Sequence, residues 1–370
     1  MLSFWEKSSL LDFDYTVIGG GLVGCFAALT YKEAHPTAKV SLLERGLLPK
    51  GACTKNAGFA CFGSLSELQD DLNDCSLDEL VSLTERRYKG ILYLRASLGD
   101  EAIGYAPVKG FELSLDEVNL EQMAFFNNAL RSVFGSEPFS DHSSNLKSYP
   151  FDSQIKGLIA HAFEGTVHTG KLIETLYKKL GEIGVRVFTG TELMAYTESE
   201  SKVQLEVTSG HQRLNLNAQK VAFCTNAFTP LFFPELDIHP GRGLVLVTKP
   251  IEGLHLEGSF HYHSGYNYFR AIDQRILLGG ARHLDKPTET THEFGTNPLL
   301  RVQLVKDLNE LILPGYSVEV DYEWSGIMAF GKNKQPIIQK VSDRVAVAAR
   351  LGGMGVALGS LVGKEVADLA

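Results

Sequence analysis

The stretch Asp14-Tyr15-Thr16-Val17-Ile18-Gly19-Gly20-Gly21-Leu22-Val23-Gly24 decides the fold. Its short β-branched run predicts a strand, which meets three consecutive glycines and a fourth at position 24. Cys25 to Tyr31 then reads as a helix ending near His35-Pro36. Lys39-Val40-Ser41-Leu42-Leu43 predicts a second strand, closed by Glu44. Strand, glycine turn, helix, strand and terminal acid is the order of a dinucleotide-binding βαβ unit. Gly19 permits the tight turn, Gly21 lets backbone approach a pyrophosphate, and Gly24 allows helix to pack on strand. The N–H groups of Leu22 and Val23 open the helix, where free donors and the positive dipole end favour phosphate. Glu44 accepts from adenosine ribose hydroxyls, with Arg45 beside it, and an acid there argues against a 2′-phosphate. A glycine-rich turn in some other α/β fold would supply the glycines without the two strands, the helix and the acid.

Composition agrees with a folded enzyme-sized chain. There are 370 residues, 44% hydrophobic and 21% charged, enough for a large core and for about two domains. Glycine is in excess at 36 residues, against roughly 7% in ordinary proteins. The net charge of −9 comes without a block of like charges, so no nucleic-acid partner is expected. Five cysteines at 25, 53, 61, 75 and 224 lack CxxC spacing and do not form a disulfide framework. Met1 to Asp14 has no apolar signal region, and the longest uncharged run, Tyr15 to Tyr31, is broken by glycines. These features predict a cytoplasmic protein with no integral membrane segment.

The segment after Glu44 separates two kinds of dinucleotide. Gly51-Ala52-Cys53-Thr54-Lys55-Asn56-Ala57-Gly58 resembles the loop that follows the ribose acid in the D-amino acid oxidase (DAO) superfamily of FAD-dependent oxidoreductases. Cys53 stands where that family usually has Ser. Later segments are also similar to the family: Gly184 to Phe188 leading to Thr191-Glu192-Leu193, and Cys224-Thr225-Asn226, which departs at Asn226 where Gly is usual. Pro240-Gly241-Arg242-Gly243, the strand Tyr266 to Gly280, Trp324-Ser325-Gly326-Ile327-Met328 and Leu351-Gly352-Gly353-Met354-Gly355-Val356 complete the set. The likeness covers about 14–64, 160–280 and 320–370, nearest the sarcosine/glycine oxidase and γ-glutamylputrescine oxidoreductase branches. It leaves 75–150 unmatched, where Leu77 to Leu98 reads as a helix and Phe111 to Phe134 follows it.

The resemblance implies an α/β protein: a Rossmann-like FAD-binding domain of glutathione-reductase type with an interleaved α+β substrate domain carrying a mainly antiparallel sheet. The expected FAD segments are 1–80, 150–225 and 320–370, and the substrate segments 81–149 and 226–319. It implies non-covalent FAD, since no Cys lies beyond Cys224. FAD contacts are expected from the glycine turn, Glu44 and Arg45, Thr54 to Gly58, Leu193, Cys224 to Asn226, Gly326, Met328 and Leu351 to Val356. The implied chemistry is oxidation of the C–N bond of an amine or amino acid, with oxygen or an electron carrier as oxidant. Tyr268, Arg270, Lys55 and Trp324 are the catalytic candidates; Lys55 reads equally as a solvated loop lysine and Tyr268 as an aromatic core residue. Met328 stands where amino-acid-oxidising relatives carry a clamping Arg, so Arg270, Arg242 or Arg282 must serve if the substrate has a carboxylate. Asn333-Lys334-x-Pro336 is closer to the amine branch. Alternatives are a flavin-dependent 2-hydroxy acid dehydrogenase with His168 or His283 as base, and a non-catalytic FAD-binding or redox-sensing module. No metal is expected, because His261 and His263 lack a third ligand at metal spacing.

Overall fold

A computed structural model describes residues 2–370. The strand Asp12–Ile18 lies between Val40–Leu43 and Gln212–Phe223, parallel to both. Arg186–Phe188 extends this sheet beyond Val40–Leu43, and Val345–Ala349 extends it beyond Gln212–Phe223, again in parallel. Parallel strands covered on both faces read as continuous apolar runs, and Val40–Leu43 and Val345–Ala349 are buried at every position. Glu192–Glu198 and Val203–Ser209 join Gln212–Phe223 as an antiparallel ribbon. Ile18 is level with both Leu43 and Phe223, so the turns after all three strands leave one edge together. That edge is where open α/β sheets bind ligands.

Two helices run from this edge. Leu22–Ala34 and Gly355–Asp368 pack side by side because Gly359 lies against Leu22 and Gly363 against the Val23 carbonyl. Any side chain at Gly363 would collide with that backbone, so close approach requires the glycine. The predicted helix Leu77–Leu98 starts at a Ser76–Glu79 capping box and packs on the same layer, with Ser360 Oγ donating to the Gly90 carbonyl at 2.7 Å.

The second sheet has eight strands in the spatial order Val320–Phe330, His239–Thr248, Arg275–Gly280, Asn267–Ile272, Ser259–Tyr262, Gly110–Ser114, Gly157–His161 and Phe139–Asp141. It is antiparallel throughout except where Ser259–Tyr262 meets Gly110–Ser114. One face buries Phe111, Phe260 and Phe269, whose rings stack at 5.3 and 4.9 Å. The other carries Val245, His261, Tyr268 and Gly326 toward the parallel sheet. The stretch Phe111 to Phe134 resolves into Gly110–Ser114 and the helix Leu120–Phe134.

The architecture is the expected one, but sheet membership cuts across the expected boundaries. Gly157–His161 and Val320–Phe330, placed by sequence with the FAD segments, pair within the antiparallel sheet. Ladder register explains the second case, since Val320–Phe330 pairs along the whole length of His239–Thr248. We propose a division by sheet, with the chain crossing between the two domains more often than the sequence motifs suggest.

Candidate functional site

One cavity of about 550 Å³ runs from the glycine turn to the antiparallel sheet. At its nucleotide end the chain presents backbone. Gly19 has φ +110°, and a Cβ there would strike the Cys224 carbonyl. Gly21 lines the cavity, with Cys53 Sγ the nearest atom to where a Cβ would be, in ordinary contact at 3.6 Å. The helix Leu22–Ala34 has no side-chain cap at Gly21, so its first N–H groups remain available to an anion. Glu44 is 6% exposed, and its oxygens accept from Gly20 N at 3.1 Å and Gly46 N at 2.8 Å. This fixes the carboxylate at the cavity edge while leaving acceptor capacity for hydroxyls.

The sequence departure at Asn226 is accommodated. It has φ 47°, a left-handed conformation that Asn tolerates better than most residues. Asn226 lines the cavity, and its Oδ1 is buried without a hydrogen-bond partner. At the opposite wall, Gly352 and Gly353 have φ 56° and 86° and turn the chain into the uncapped helix Gly355–Asp368. Two helix N-termini, the fixed Glu44 and the unpartnered Asn226 oxygen therefore surround one elongated space. This donor set fits FAD. In that fit Leu22 and Val23 would hold the pyrophosphate, Glu44 the ribose and Leu193 the adenine, with Lys55 and Gly353 to Val356 at the flavin end.

Most predicted cofactor residues line this space, including Arg45, Ala57, Cys224, Thr225, Gly326, Met328, Leu351 and Met354. Gly24, Thr54 and Gly58 do not, and each has a different task. Gly24 packs against the Gly19 carbonyl, Thr54 Oγ1 donates to Pro49 O at 2.7 Å, and Gly58 turns with φ +75° against Val167 O. Asn56 lines the cavity but holds its own loop, donating from Nδ2 to Cys53 O and accepting from Gly58 N at 2.8 Å.

The catalytic candidates separate into two groups. Tyr268 and Lys55 line the cavity. Burial pushes the Tyr268 hydroxyl up to about 12, so it stays protonated, and its ring lies across Gly279 and edge-on to Phe59 at 5.5 Å. Arg270 and Trp324 do not line it, which corrects their expected contact with the ligands. Arg270 shares a strand face with Tyr268, but its guanidinium passes behind the loop and donates to Gly58 O and Val167 O at 3.1 and 3.2 Å. Trp324 Nε1 donates to Lys55 O at 3.0 Å and so anchors the loop that carries Lys55.

Of the guanidinium candidates, Arg242 is tied bidentately to Glu289 at 2.9 Å. Arg282 lines the cavity and stacks on Phe330 at 4.1 Å. His168 caps the helix Thr169–Glu182 by accepting from Lys171 N, and neither it nor His283 lines the cavity. Sequence reasoning missed Phe59, Cys61, Glu67 and His261. His261 was weighed in the sequence only as a metal ligand beside His263; in the fold it is the cross-strand partner of Tyr268. Lys334 also lines the wall, bonded to Glu67 at 2.7 Å and Asp71 at 2.6 Å. Burial raises the Glu67 carboxyl, but Lys334 and Arg87 outweigh it and hold the group below its ordinary value.

Comparison with known proteins agrees with this geometry. The DAO family of FAD dependent oxidoreductases matches residues 14–369. The chain is 22% identical to the Haemophilus influenzae protein named probable oxidoreductase OrdL, over 96% of this chain and 82% of that one. Its fold is similar to that of glycine oxidase from Geobacillus kaustophilus, with a TM-score of 0.76, 20% identity and coverage of 97% and 94%. It is similar also to L-proline dehydrogenase from P. horikoshii, with a TM-score of 0.77, 15% identity and coverage of 97% and 93%. The family match spans nearly the whole chain, both sheets included, and its cofactor is the one the cavity fits: the chain belongs to the DAO family of FAD-dependent oxidoreductases.

Proposed function

We propose that the protein oxidises the C–N bond of a small amine or amino acid, with imine hydrolysis following in water. The observation that carries this reading is the continuity of the cavity, from the two uncapped helix N-termini to a wall bearing Tyr268, Tyr266 and Arg282. FAD, when bound, supplies hydride acceptance at N5. The protein contributes position and electrostatics. Tyr268, protonated and packed on Phe59 and Gly279, fixes one side of the substrate and can donate a hydrogen bond. Lys55, on a loop braced by Trp324 and Arg270, brings positive charge to the cofactor side. Arg282 is the guanidinium available to a substrate carboxylate, and the aromatic wall excludes water around the carbon that reacts.

The relatives support the substrate class by what they are named for, glycine in one case and L-proline in another. All five cysteines are free, which supports a reducing, cytoplasmic setting. Among the described residues no helix is long and apolar enough to cross a membrane. An anaerobic screen of amines, D- and L-amino acids, N-methyl amino acids and 2-hydroxy acids, read as flavin bleaching, tests the proposal. Bleaching by an amine or amino acid is expected. Bleaching by hydroxy acids alone, or by nothing, overturns it. We also propose that FAD is non-covalent: acid precipitation is expected to release all yellow colour to the supernatant.

A further inference from the structure

Three residues from distant segments meet at the cavity, two of them on its wall and Glu164 buried beside them. Cys61 follows the short strand Phe59–Ala60, Glu164 sits in the turn after Gly157–His161, and His261 is on Ser259–Tyr262. The Cys61 Sγ, a Glu164 carboxylate oxygen and a His261 ring nitrogen all lie within 4.8 Å of one another, and all three residues are buried. His261 Nε2 is buried without a hydrogen-bond partner. It lies 3.8 Å from Glu164 Oε2, too far for a hydrogen bond. Two ligands bound tetrahedrally to one zinc ion at about 2.0–2.1 Å stand about 3.3–3.5 Å apart, so only a small closure is needed. Glu164 is already oriented, because its other oxygen accepts from Phe62 N at 2.9 Å.

The surroundings make the cluster unusual for a core. Burial pushes the Cys61 thiol well up, raises the Glu164 carboxyl to about 8 and lowers the His261 imidazole to about 4. Beside them the imidazole nitrogen of His261 is left unpaired. A divalent ion reverses the first two effects by favouring thiolate and carboxylate, and it occupies the free imidazole nitrogen. Spacing along the sequence gave His261 no third ligand; the fold supplies Cys61 and Glu164 from 200 and 97 residues away (261 − 61 and 261 − 164). Sulfur, nitrogen and oxygen donors together suit zinc better than calcium or magnesium.

We propose that Cys61, Glu164 and His261 form a three-ligand site for a divalent cation of the zinc type, with its remaining coordination position open to the cavity. Cys61 and His261 both line that space, so the open position faces water or a substrate nitrogen or oxygen.

The test uses FAD-loaded protein freed of metal by chelator, gel-filtered, then titrated with Zn²⁺ or Co²⁺. About one zinc per chain is expected to remain after a second gel filtration. Cobalt is expected to give an intense near-ultraviolet thiolate band. Both signals should weaken at least about ten-fold in Cys61→Ser and in His261→Asn, with the fold of each variant checked by its circular dichroism spectrum. Absence of the cobalt–thiolate band in the unaltered protein overturns the proposal without recourse to any variant. Stoichiometric zinc that survives both substitutions overturns it equally, because the ion then binds elsewhere.

Discussion

The nucleotide end of the cavity and its substrate end are lined by different kinds of atoms. At the first, Gly19 to Val23 and Gly352 to Val356 offer backbone N–H groups and dipole ends, and Glu44 is an acid fixed by two backbone amides. At the second, Tyr268, Arg282, Lys334 and His261 project from separate strands and loops. Backbone recognition requires that side chains be absent, whereas side-chain recognition requires particular ones. The first end should therefore fail on added atoms, and the second on removed ones.

The largest effect is expected where an added atom meets backbone. A Cβ at Gly24 falls inside contact distance of the Gly19 carbonyl, so Gly24→Val must part the helix from the glycine turn. Overpacking of about 3 kcal/mol corresponds to roughly hundred-fold weaker FAD binding. Flavin absorbance per chain after gel filtration measures it. Gly51→Ala is the control: Gly51 has φ −72° and nothing within 4 Å of a Cβ, so flavin content should not change. Equal loss in both variants would break the comparison.

Next comes the carboxylate of the nucleotide end. Glu44→Ala strands the N–H groups of Gly20 and Gly46 and removes an acceptor for ribose. Leaving buried donors unpaired costs about 1–3 kcal/mol, or roughly ten- to hundred-fold in FAD affinity. Turnover at saturating FAD should be preserved, because Glu44 follows a strand of the parallel sheet while Tyr268 lies on the antiparallel one. A fall in turnover with affinity intact would sink the division between the two ends.

The same contrast explains what could be read from sequence. The nucleotide end was legible because its parts are contiguous: strand, turn, helix, strand and acid fall within residues 14 to 44, with spacing set by local geometry. Asn226 was flagged as a departure and proves to hold the left-handed conformation that glycine would have taken. The substrate end was only half legible. Tyr268 could be placed from its strand, but the depth of Arg270 along that strand could not, since two residues sharing a face reach different neighbours. Lys334 and Glu67 bond across 267 residues, and no local period encodes such a meeting.

Arg282 sharpens the comparison at the substrate end. Arg282→Met removes the guanidinium that lines the cavity while keeping apolar bulk on Phe330. A substrate with a carboxylate should show KM raised roughly ten-fold or more, because a hydrogen bond to a charged group is worth about 1.5–3 kcal/mol. A substrate that is only an amine should be indifferent, and flavin content should stay unchanged in either case. Loss of flavin would assign Arg282 to the cofactor instead and redraw the line between the two ends.

The smallest effect concerns pH, and it comes from a histidine buried between the substrate sheet and the core of the parallel sheet. His161, on Gly157–His161, is 4% exposed among Phe62, Phe134 and Phe139, and its Nε2 has no partner. Burial lowers its pKa from 6.5 to about 3, with His261 adding to the same direction. Between those values the unfolded chain binds a proton that the folded chain refuses, so stability falls as pH drops from about 6.5 toward 3 and loses nothing more from this group below that. His161→Phe removes the titration and keeps the ring in its aromatic surroundings, at the expense of the Nδ1 that accepts from Phe163 N at 3.3 Å. The variant's melting temperature should therefore decline less steeply between pH 6.5 and 4 than that of the unaltered protein, whatever their offset at pH 7. Parallel curves would mean that acid sensitivity does not arise at this position, and the chemical contrast between the two ends would then stop at the cavity wall.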